Sequence, residues 1–382
     1  MTTIQNKPVS PVEHLSAEDI ENLGKELDAI RQQVLDTRGE RDAAYIRRVI
    51  TAQRTLEASS RIVLLFSLFP PAWLAGTAGL SVAKILENME IGHNVLHGQW
   101  DWMRDPKIHS TTWEWDNASP AEQWKHAHNE EHHTYTNVIG KDGDLGYGIM
   151  RVDEEQPWHP FHLGQPLWNL VNAFMFQYGI AAYDLKLGKN LKSKERRSNP
   201  EFRARVRATL RKVRTQATRD YVVHPLLSGP SAAPTLAANV TANVVRNLWT
   251  HSVIMCGHFP EGVETFAYDS IDGETRGQWY LRQMIGSANI SGSRFMHLMS
   301  GNLSFQIEHH LFPDVPAHRH AEIAVEVRET CERYGVPYNT GPLHRQFGTV
   351  VRKILRLALP PKKRAGERLP FGKPVESAEY AA

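Results

Sequence analysis

Three clusters of histidines with helical spacing constrain the fold of this chain more than any other feature. In the first cluster, His93 and His97 are four residues apart, which places them one turn apart on the same face of a helix. In the second cluster, His128 and His132 repeat that spacing, and His133 follows about 100° further round the helix. The spacing therefore predicts helices that present imidazole groups on one face.

The third cluster lies far downstream and begins with an amide instead of an imidazole. Gln306, His309 and His310 stand at positions i, i+3 and i+4, which share a stripe about 100° wide on one side of a helix. Imidazole nitrogen suits iron, copper, zinc and nickel. The histidines of the three clusters together exceed what one ion can bind, so the sequence predicts a site for two metal ions.

Composition excludes several other redox arrangements. The chain of 382 residues has 19 histidines but only 2 cysteines, Cys256 and Cys331. Two thiolates cannot ligate an ordinary iron–sulfur cluster, and no GxGxxG motif follows a strand-like segment, so neither a cluster nor a dinucleotide-binding domain is expected in this chain. The formal net charge of +2 does not indicate a nucleic-acid partner.

Four segments lack Asp, Glu, Lys and Arg over a length that bears on membrane insertion: residues 62–83, 156–183, 221–245 and 247–260. A spanning helix needs about 20 mostly apolar residues, and the first three segments reach that length although prolines, asparagines and glycines interrupt them. The mean hydropathy of -0.43 is low for an integral membrane protein. Hydropathy alone therefore leaves two interpretations open, membrane spans or buried helices of a soluble all-α enzyme.

A strongly basic insert separates the second charge-free segment from the third. Residues 186–219 contain 13 lysines and arginines against two glutamates, Glu195 and Glu201. If the flanking segments span a bilayer, the positive-inside rule keeps this insert in the cytoplasm. Its charge suits anionic lipid or the phosphates of CoA, and a merely solvated basic helix is the alternative.

An amphipathic helix is predicted near the N-terminus, where Ser16 and Asp19 match a capping box and are followed by apolar residues at helical spacing. We expect this helix to pack on the main domain, with a helix lying on a membrane as the alternative. No signal-peptide pattern is found, so the catalytic part is expected to face the cytoplasm. The predicted organisation is a helical segment at 1–40, a main domain at 41–345 with the basic insert at about 186–219, and a basic, partly disordered tail at 346–382.

The three clusters resemble the histidine boxes of the membrane fatty acid desaturases. The general pattern of that family is H-x3-4-H, then H-x2-3-HH, then H or Q-x2-3-HH, and this chain matches all three in that order as HxxxH, HxxxHH and QxxHH. Residues 306–313, which read QIEHHLFP, are similar to the signature of the acyl-CoA and front-end branches. The sequences at 88–102, 135–137 and 257–260 are most similar to bacterial, actinobacterial-type stearoyl-CoA Δ9-desaturases, and the resemblance covers about residues 40–345.

This resemblance implies a set of metal ligands, which in this chain are His93, His97, His128, His132, His133, His258, His309 and His310. The family also uses a histidine near the cytoplasmic end of its last span, and His258 fits that place best. The alternative is His251, which follows Asn247 in an NxxxH spacing whose Asn holds a metal-bound water in acyl-CoA desaturases.

Other polar and aromatic residues near the boxes have predicted supporting roles. Gln306 replaces one imidazole by an amide, which binds a metal weakly or only through water. Asn129, Glu130 and Glu308 are candidates for orienting the imidazole N–H groups. Several tryptophans follow the first box and are candidates for a tunnel mouth, the bilayer interface or plain packing: Trp100, Trp102, Trp113 and Trp115.

The fold implied by the resemblance is an all-α, integral membrane bundle of about four spanning helices with a cytoplasmic di-iron cap, in the plasma membrane. The implied activity is O2-dependent insertion of a cis double bond into a long saturated acyl-CoA, with stearoyl-CoA converted to oleoyl-CoA at Δ9, or into an acyl lipid. Removing hydrogen from an unactivated chain requires a metal centre that activates O2. Electrons are expected from NADPH through a separate iron–sulfur or flavin reductase.

Two other classes of protein compete with this interpretation. A membrane alkane or acyl hydroxylase has the same kind of metal centre but inserts oxygen, and analysis of the product distinguishes it from a desaturase. A non-catalytic membrane protein that binds zinc through histidines would bury its ligands inside the spans, whereas here the boxes flank the charge-free segments. A soluble histidine-rich domain is a further alternative, which cell fractionation would test.

Overall fold

The computed structural model describes residues 11–361 and is all-α apart from one pair of very short strands. The helices are α1 (Ala17–Asp36), α2 (Glu40–Leu64), α3 (Pro70–Leu86), α4 (Asn94–Leu96), α5 (Ala121–Lys125), α6 (His133–Tyr135), α7 (Gln165–Phe174), α8 (Phe176–Asp184), α9 (Leu187–Asn190), α10 (Lys194–Ser198), α11 (Pro200–Thr218), α12 (His224–Leu227), α13 (Ala232–His258), α14 (Arg276–Ile285), α15 (Arg294–Met299), α16 (Gln306–Leu311), α17 (His320–Tyr334) and α18 (Leu343–Ala358). The strands β1 (Asn289–Ser291) and β2 (Thr340–Pro342) pair in parallel.

The predicted N-terminal helix is present as α1 and packs on the main domain. The capping box forms as the sequence indicates, with the Ser16 hydroxyl accepting from the backbone N–H of Asp19. Leu23 and Leu27 are fully buried in the core shared with α14 and α17. The buried face of α1 therefore lies against protein.

Helices α2 and α3 form a closely packed hairpin that α13 flanks. Small residues allow the close approach, since a Cβ at Gly79 would lie 2.3 Å from Ser60 Oγ and one at Gly76 would lie 2.6 Å from Leu64 Cγ. The far end of this hairpin meets the start of α13, where the Ser67 and Thr235 hydroxyls are 2.8 Å apart. We call the packed helices α2, α3 and α13 the arm of the molecule.

The charge-free segments do not form one helix each. Residues 156–183 divide into a 3-10 turn, α7 and α8, with non-helical backbone at Met175, where φ is -109° and ψ is 23°. Residues 221–245 divide at the 3-10 turn Gly229–Ser231, and α13 then continues past Arg246 into the fourth segment. Among residues 11–361, no helix is both long enough and apolar enough to cross a membrane. The four-span bundle therefore stays a prediction.

Two of the histidine clusters lie in widened helical turns. In the first cluster, His93 ends a π-helical turn at Glu87–His93 and His97 follows it. In the second cluster, His128 and His132 lie in a π-helical turn at His126–His132 and His133 follows it. Such turns are rare and occur mostly at functional sites. The sequence predicted ordinary α-helix here, and the difference changes the direction in which each imidazole points.

The C-terminal segment begins as an ordered helix. Helix α18 includes residues 346–358 of the segment that the sequence assigned to a tail from residue 346 to 382, and it buries Val350, Ile354 and Leu357. These side chains contribute to the core beside α7 and α13. The basic run at Lys362, Lys363 and Arg364 lies outside the described residues.

Candidate metal centre

The histidines that the sequence predicts as ligands converge at the junction of the arm and the rest of the molecule. Six of the eight are buried and two, His97 and His128, are partly exposed. They come from four separate parts of the chain: the two turns that carry the first and second boxes, the C-terminus of α13, and α16. The long-range packing of α13, α14 and α16 therefore completes a site that no single segment contains.

Two groups made of imidazoles alone have nitrogens close enough to share an ion, and a third group links them, since His128 and His132 lie equally close to Asp144. A four-histidine group consists of His93, His97, His128 and His309. A three-histidine group consists of His132, His258 and His310. Within each group the potential ligand atoms all lie within 4.8 Å of one another, which is the spacing expected of ligands that share one ion.

His133 lies between the two groups. Its ring stacks on His310 with centroids 4.4 Å apart, and it also contacts His309 at 4.9 Å and His97 at 4.8 Å. Neither ring nitrogen of His133 has a hydrogen-bond partner among residues 11–361. This imidazole is therefore placed to complete either group.

The residues present fit metal ions. Buried ring nitrogens without a protein partner are concentrated here and include Nε2 of His97, His128 and His132 and both nitrogens of His309. A buried polar atom that lacks a partner costs about 1–3 kcal/mol, so several of them in one place require compensation. Metal ions at the centres of the two groups would bind these nitrogens, and a nitrogen-rich donor set suits iron.

Two carboxylates lie behind the three-histidine group. Asp142 is fully buried, and its oxygens accept from His132 Nδ1 at 3.1 Å. Asp144 Oδ2 is 3.7 Å from the same nitrogen. Burial alone would lower the pKa of His132, but the two carboxylates raise that pKa to about 9. The surroundings of His132 therefore favour positive charge, and the hydrogen bond turns its Nε2 towards the other two imidazoles.

Neutral partners fix the orientation of other imidazoles. His310 Nδ1 donates to Gln283 Oε1 at 3.0 Å, and the Thr136 hydroxyl is 3.2 Å from the same nitrogen. His93 Nδ1 is 3.0 Å from Asn94 Oδ1. Each contact leaves Nε2 of the histidine free to face the centre of its group.

Gln306 lies at the edge of the three-histidine group. Its Nε2 donates to His258 Nε2 at 3.0 Å, while its Oε1 is buried without a partner. Gly257 makes room for this side chain, because a Cβ at that position would lie 2.9 Å from Gln306 Cδ. The amide is therefore held where an imidazole of the family pattern would otherwise stand.

The structure places His258 in the three-histidine group and His251 elsewhere. His251 Nε2 donates to Asn169 Oδ1 at 3.0 Å, and its ring contacts Phe176 edge to face. Asn247 Nδ2 donates to the backbone oxygen of Phe174. The two residues of the alternative NxxxH motif, Asn247 and His251, thus contact α7 and α8 and not the other histidines.

The residues predicted to orient imidazoles make other contacts, which corrects that part of the sequence analysis. Asn129 Nδ2 donates to the Leu96 carbonyl. Glu130 accepts from His126 on the surface. Glu308 is buried and accepts from Asn289 and from a tyrosine hydroxyl, with its pKa raised by burial. Helical spacing could not show the contacts of Asn129 and Glu308, because their partners belong to other parts of the fold. Glu130 instead contacts His126, four residues earlier on the same helical run.

Sequence analysis missed Asp142, Asp144 and Gln283, which contact the imidazoles instead. The sequence could have indicated Asp142 and Asp144, because both follow the second box within about ten residues. Nothing local identifies Gln283, because the folding of α14 against α16 brings it to the site. His320, which belongs to none of the three boxes, is fully buried, and its ring centroid is 6.1 Å from that of His309.

A cavity with a mostly apolar wall opens onto both groups. It has room for about 50 Å³ of water-sized space, and His93 and His132 line it together with Met89, Ile254 and Leu303. At another part of its wall stand Asp144, Tyr183 and Asp184. Of the four tryptophans predicted near a tunnel, Trp115 lines this cavity, whereas Trp100 is buried in a separate core cluster with Trp113 at its edge. An apolar group that entered this cavity would lie directly against the histidine groups.

The fold and site define an all-α protein with two converging histidine groups beside an apolar cavity. Comparison with known proteins identifies the family, since residues 68–342 match the fatty acid desaturase family. This chain belongs to the fatty acid desaturase family, as the resemblance of the histidine boxes indicated.

Individual relatives show a close and a distant similarity. The chain is 50% identical over 353 residues to the NADPH-dependent stearoyl-CoA 9-desaturase of Mycobacterium tuberculosis, which covers 91% of this chain and 82% of that protein. It is 24% identical over 327 residues to the sn-1 linoleoyl-lipid 6-desaturase of a Synechocystis strain, which covers 84% of this chain and 89% of that protein. The similarity thus extends over nearly the whole chain in both cases.

Proposed function

We propose that this protein is an acyl-CoA desaturase that uses O2 to introduce a cis double bond into a long saturated chain, with stearoyl-CoA converted to oleoyl-CoA at Δ9. The convergence of two buried histidine groups on one apolar cavity is the observation that carries this proposal. The similarity to a stearoyl-CoA 9-desaturase supports the choice of substrate and double-bond position.

The proposed cofactor is a pair of iron ions, one in each histidine group. When bound, the two irons would supply the activation of O2 that removes two hydrogens from an unactivated chain. The balance of the reaction is one O2, two electrons and two protons taken up with the saturated chain, and two waters and the alkene released. His93, His97, His128 and His309 would hold one ion, and His132, His258 and His310 the other, with His133 between them.

The chain's own side chains would prepare and isolate this centre. The carboxylate of Asp142 keeps the proton of His132 on Nδ1, so that Nε2 is free to bind. Met89, Ile254 and Leu303 give the cavity apolar walls that exclude water and hold the acyl chain against the histidines. The carbon that lies nearest the two groups would be set by the depth of the cavity.

Electrons would come from NADPH through a separate reductase with an iron–sulfur or flavin centre. The two free thiols of the chain, Cys256 and Cys331, are both buried. Burial raises the pKa of the Cys331 thiol to about 12, so it is a poor thiolate ligand. The similarity to the NADPH-dependent stearoyl-CoA 9-desaturase of Mycobacterium tuberculosis supports this source of electrons.

We also propose that the turn between α2 and α3 and the neighbouring turn between α12 and α13 enter the plasma membrane, with α2, α3, α13 and the helical run from α11 through α12 as the four helices that lead into it and the metal centre on the cytoplasmic side. Large apolar side chains are exposed in the turn between α2 and α3 and at the end of α12. Phe66, Phe69, Leu226 and Leu227 are 66%, 64%, 71% and 73% exposed. A contiguous apolar surface of this kind is typical of a membrane or protein contact.

The test is the fatty acid profile of cells that express this chain together with a reductase. Gas chromatography with mass spectrometry should show a new cis-monoene with the double bond at C9, and the His309→Ala, His310→Ala double variant should lack it. The matched control is His344→Ala, because His344 is exposed and lies outside both groups. A histidine-dependent hydroxy acid would instead establish the oxygen-inserting alternative.

A further inference from the structure

Helix α11, within the basic insert, presents a row of arginines on one face. Arg203, Arg207, Arg211 and Arg214 follow one another at intervals of four, four and three residues, so they line up along about 16 Å of helix. All four are exposed. We call these four residues the arginine face.

The arginine face has no carboxylate partner within residues 11–361, whereas the inward-facing cations of the same insert are neutralised. Lys212 pairs with Glu114 and Arg219 pairs with Asp116. Among the four outward arginines, the side chain of Arg203 donates only to a backbone oxygen. Like charges at helical spacing repel each other by a few tenths of a kcal/mol per pair, so this row does not stabilise the helix and suits an anionic partner.

The opposite side of α11 rests on a tryptophan pair that leads to the metal centre. Lys212 Nζ donates to the Trp115 carbonyl at 2.8 Å. The ring centroids of Trp115 and Trp124 are 5.0 Å apart, and the Trp124 ring stacks on His128 at 4.4 Å. Two tryptophan rings therefore connect an imidazole of the four-histidine group with a residue whose backbone carbonyl contacts α11.

A second contact fixes this arrangement. Gln123 Nε2 donates to the backbone oxygen of Arg205 at 3.0 Å, and Gln123 Oε1 accepts from the Thr209 hydroxyl at 3.4 Å. Gln123 directly precedes Trp124 in α5. The helix that bears the arginine face is thus held against the helix that bears the tryptophan next to the histidines.

From these two observations we propose that the arginine face docks the acidic surface of a one-electron carrier protein, which delivers electrons to the metal centre past Trp115 and Trp124. This inference rests on the proposed function, which requires two electrons from outside the chain for each double bond. Each docked carrier would be oxidised by one electron, which metal ions held by the two histidine groups would take up. Two carriers therefore dock in each catalytic cycle.

An acidic carrier explains both observations, whereas the other anionic partners explain one. Lipid headgroups or the phosphates of CoA would account for an unpaired row of arginines. Neither would account for two tryptophan rings that connect a residue in contact with α11 to His128. The position of these rings favours a partner that donates electrons.

The test compares two charge-reversed variants of the full-length, iron-loaded protein. The first carries Arg203→Glu, Arg207→Glu and Arg211→Glu. The matched control carries Arg48→Glu, Arg294→Glu and Arg345→Glu, which are exposed residues on other helices without a carboxylate partner in the described chain. The probe is a plant-type [2Fe–2S] ferredoxin, an acidic one-electron carrier, and the small reductant for comparison is methyl viologen radical.

Binding of oxidised ferredoxin is measured by fluorescence anisotropy, and reduction of the protein is measured by stopped flow. At low ionic strength the arginine-face variant should lose affinity and reduction rate by about ten-fold or more relative to the wild type, and added salt should remove most of that difference. The control variant, the rate with viologen and the KM for stearoyl-CoA should stay unchanged.

Several results would overturn the proposal. One is that the wild type neither binds ferredoxin nor accepts its electrons. Another is that the arginine-face variant and the control variant lose affinity and reduction rate equally. Unchanged ferredoxin binding with a raised stearoyl-CoA KM would assign the face to CoA phosphates. Unchanged ferredoxin binding with lost binding to phosphatidylglycerol vesicles would assign it to lipid. Failure of the proposed function is recognised separately, because viologen-reduced wild type would then form no oleoyl product from stearoyl-CoA and O2.

Discussion

The two histidine groups use the same donor atom in different surroundings. In the four-histidine group the nearest carboxylate oxygen is Asp144 Oδ2, 3.6 Å from His128 Nδ1. In the three-histidine group His132 Nδ1 faces Asp142 at 3.1 Å and Asp144 at 3.7 Å. The four-histidine group thus offers more imidazoles. The three-histidine group offers fewer, but two carboxylates lie close to one of them, His132.

This difference shows how one residue type can prepare two unlike metal positions. Burial lowers the pKa of His97 and of His309 well below the usual range, so both imidazoles stay neutral and can donate to a metal. Burial also opposes charge on His132, but Asp142 and Asp144 raise its pKa to about 9. A metal ion bound to His132 would supply the positive charge that these carboxylates favour.

The largest effect should follow removal of one imidazole from either group. His97→Ala and His258→Ala should each lower iron from two to about one per chain and abolish desaturation, because one ion loses a ligand in each case. Iron is measured by plasma mass spectrometry and product by gas chromatography. His344→Ala serves as the control, and a full complement of iron in either ligand variant would contradict the assignment of that histidine.

Asp142→Asn should have the next largest effect, confined to the three-histidine group. The amide keeps the shape of the side chain but removes the charge behind His132, and loss of such a partner typically costs about 10- to 100-fold in metal affinity. Titration with a competing chelator should show one iron bound more weakly and the other unchanged. Asp269→Asn, at an exposed position, is the matched control. Equal weakening of both irons would show that the carboxylate serves the whole fold.

Gly257→Ala should perturb the same group through packing. The added methyl would stand 2.9 Å from Gln306 Cδ, and the displaced amide would press on His258. We expect a loss of about 1–3 kcal/mol in the free energy of unfolding, with partial loss of one iron. Gly348→Ala is the control, because nothing lies within 4 Å of a Cβ there. Unchanged stability and iron in the Gly257 variant would mean that Gln306 adapts freely.

The smallest effect on iron is expected from His251→Gln. This residue hydrogen-bonds to Asn169 and faces Phe176, so its replacement should cost about 1 kcal/mol of stability and leave two irons bound. Thermal unfolding and iron analysis of the purified variant provide the check. Loss of one iron would favour the alternative register, in which His251 and not His258 is the ligand.

Local periodicity accounts for what the sequence could predict. The i, i+3 and i+4 spacing of Gln306, His309 and His310 places them on one side of α16, and the pattern from Ser16 onwards predicts α1 together with its cap. The family match then confirms the class that the order of the boxes indicated. His258 required the resemblance, since a single histidine at the end of a helix has no pattern of its own.

Long-range packing accounts for what the sequence could not predict. Asp142 and Gln283 reach His132 and His310 only after loops and α14 fold back on the boxes. The four-residue spacing of His128 and His132 in the sequence does not distinguish an α-helix from the π-helical turn that the structure has at His126–His132. The charge-free segments divide at Gly229 and at Met175, where local backbone conformation outweighs the absence of charge.

The most direct test of the central claim is anomalous X-ray diffraction from crystals of iron-loaded protein, with data collected on both sides of the iron absorption edge. Two iron peaks are predicted, one among His93, His97, His128 and His309 and one among His132, His258 and His310. A single peak, or a second peak away from these histidines, would contradict a centre built from two groups.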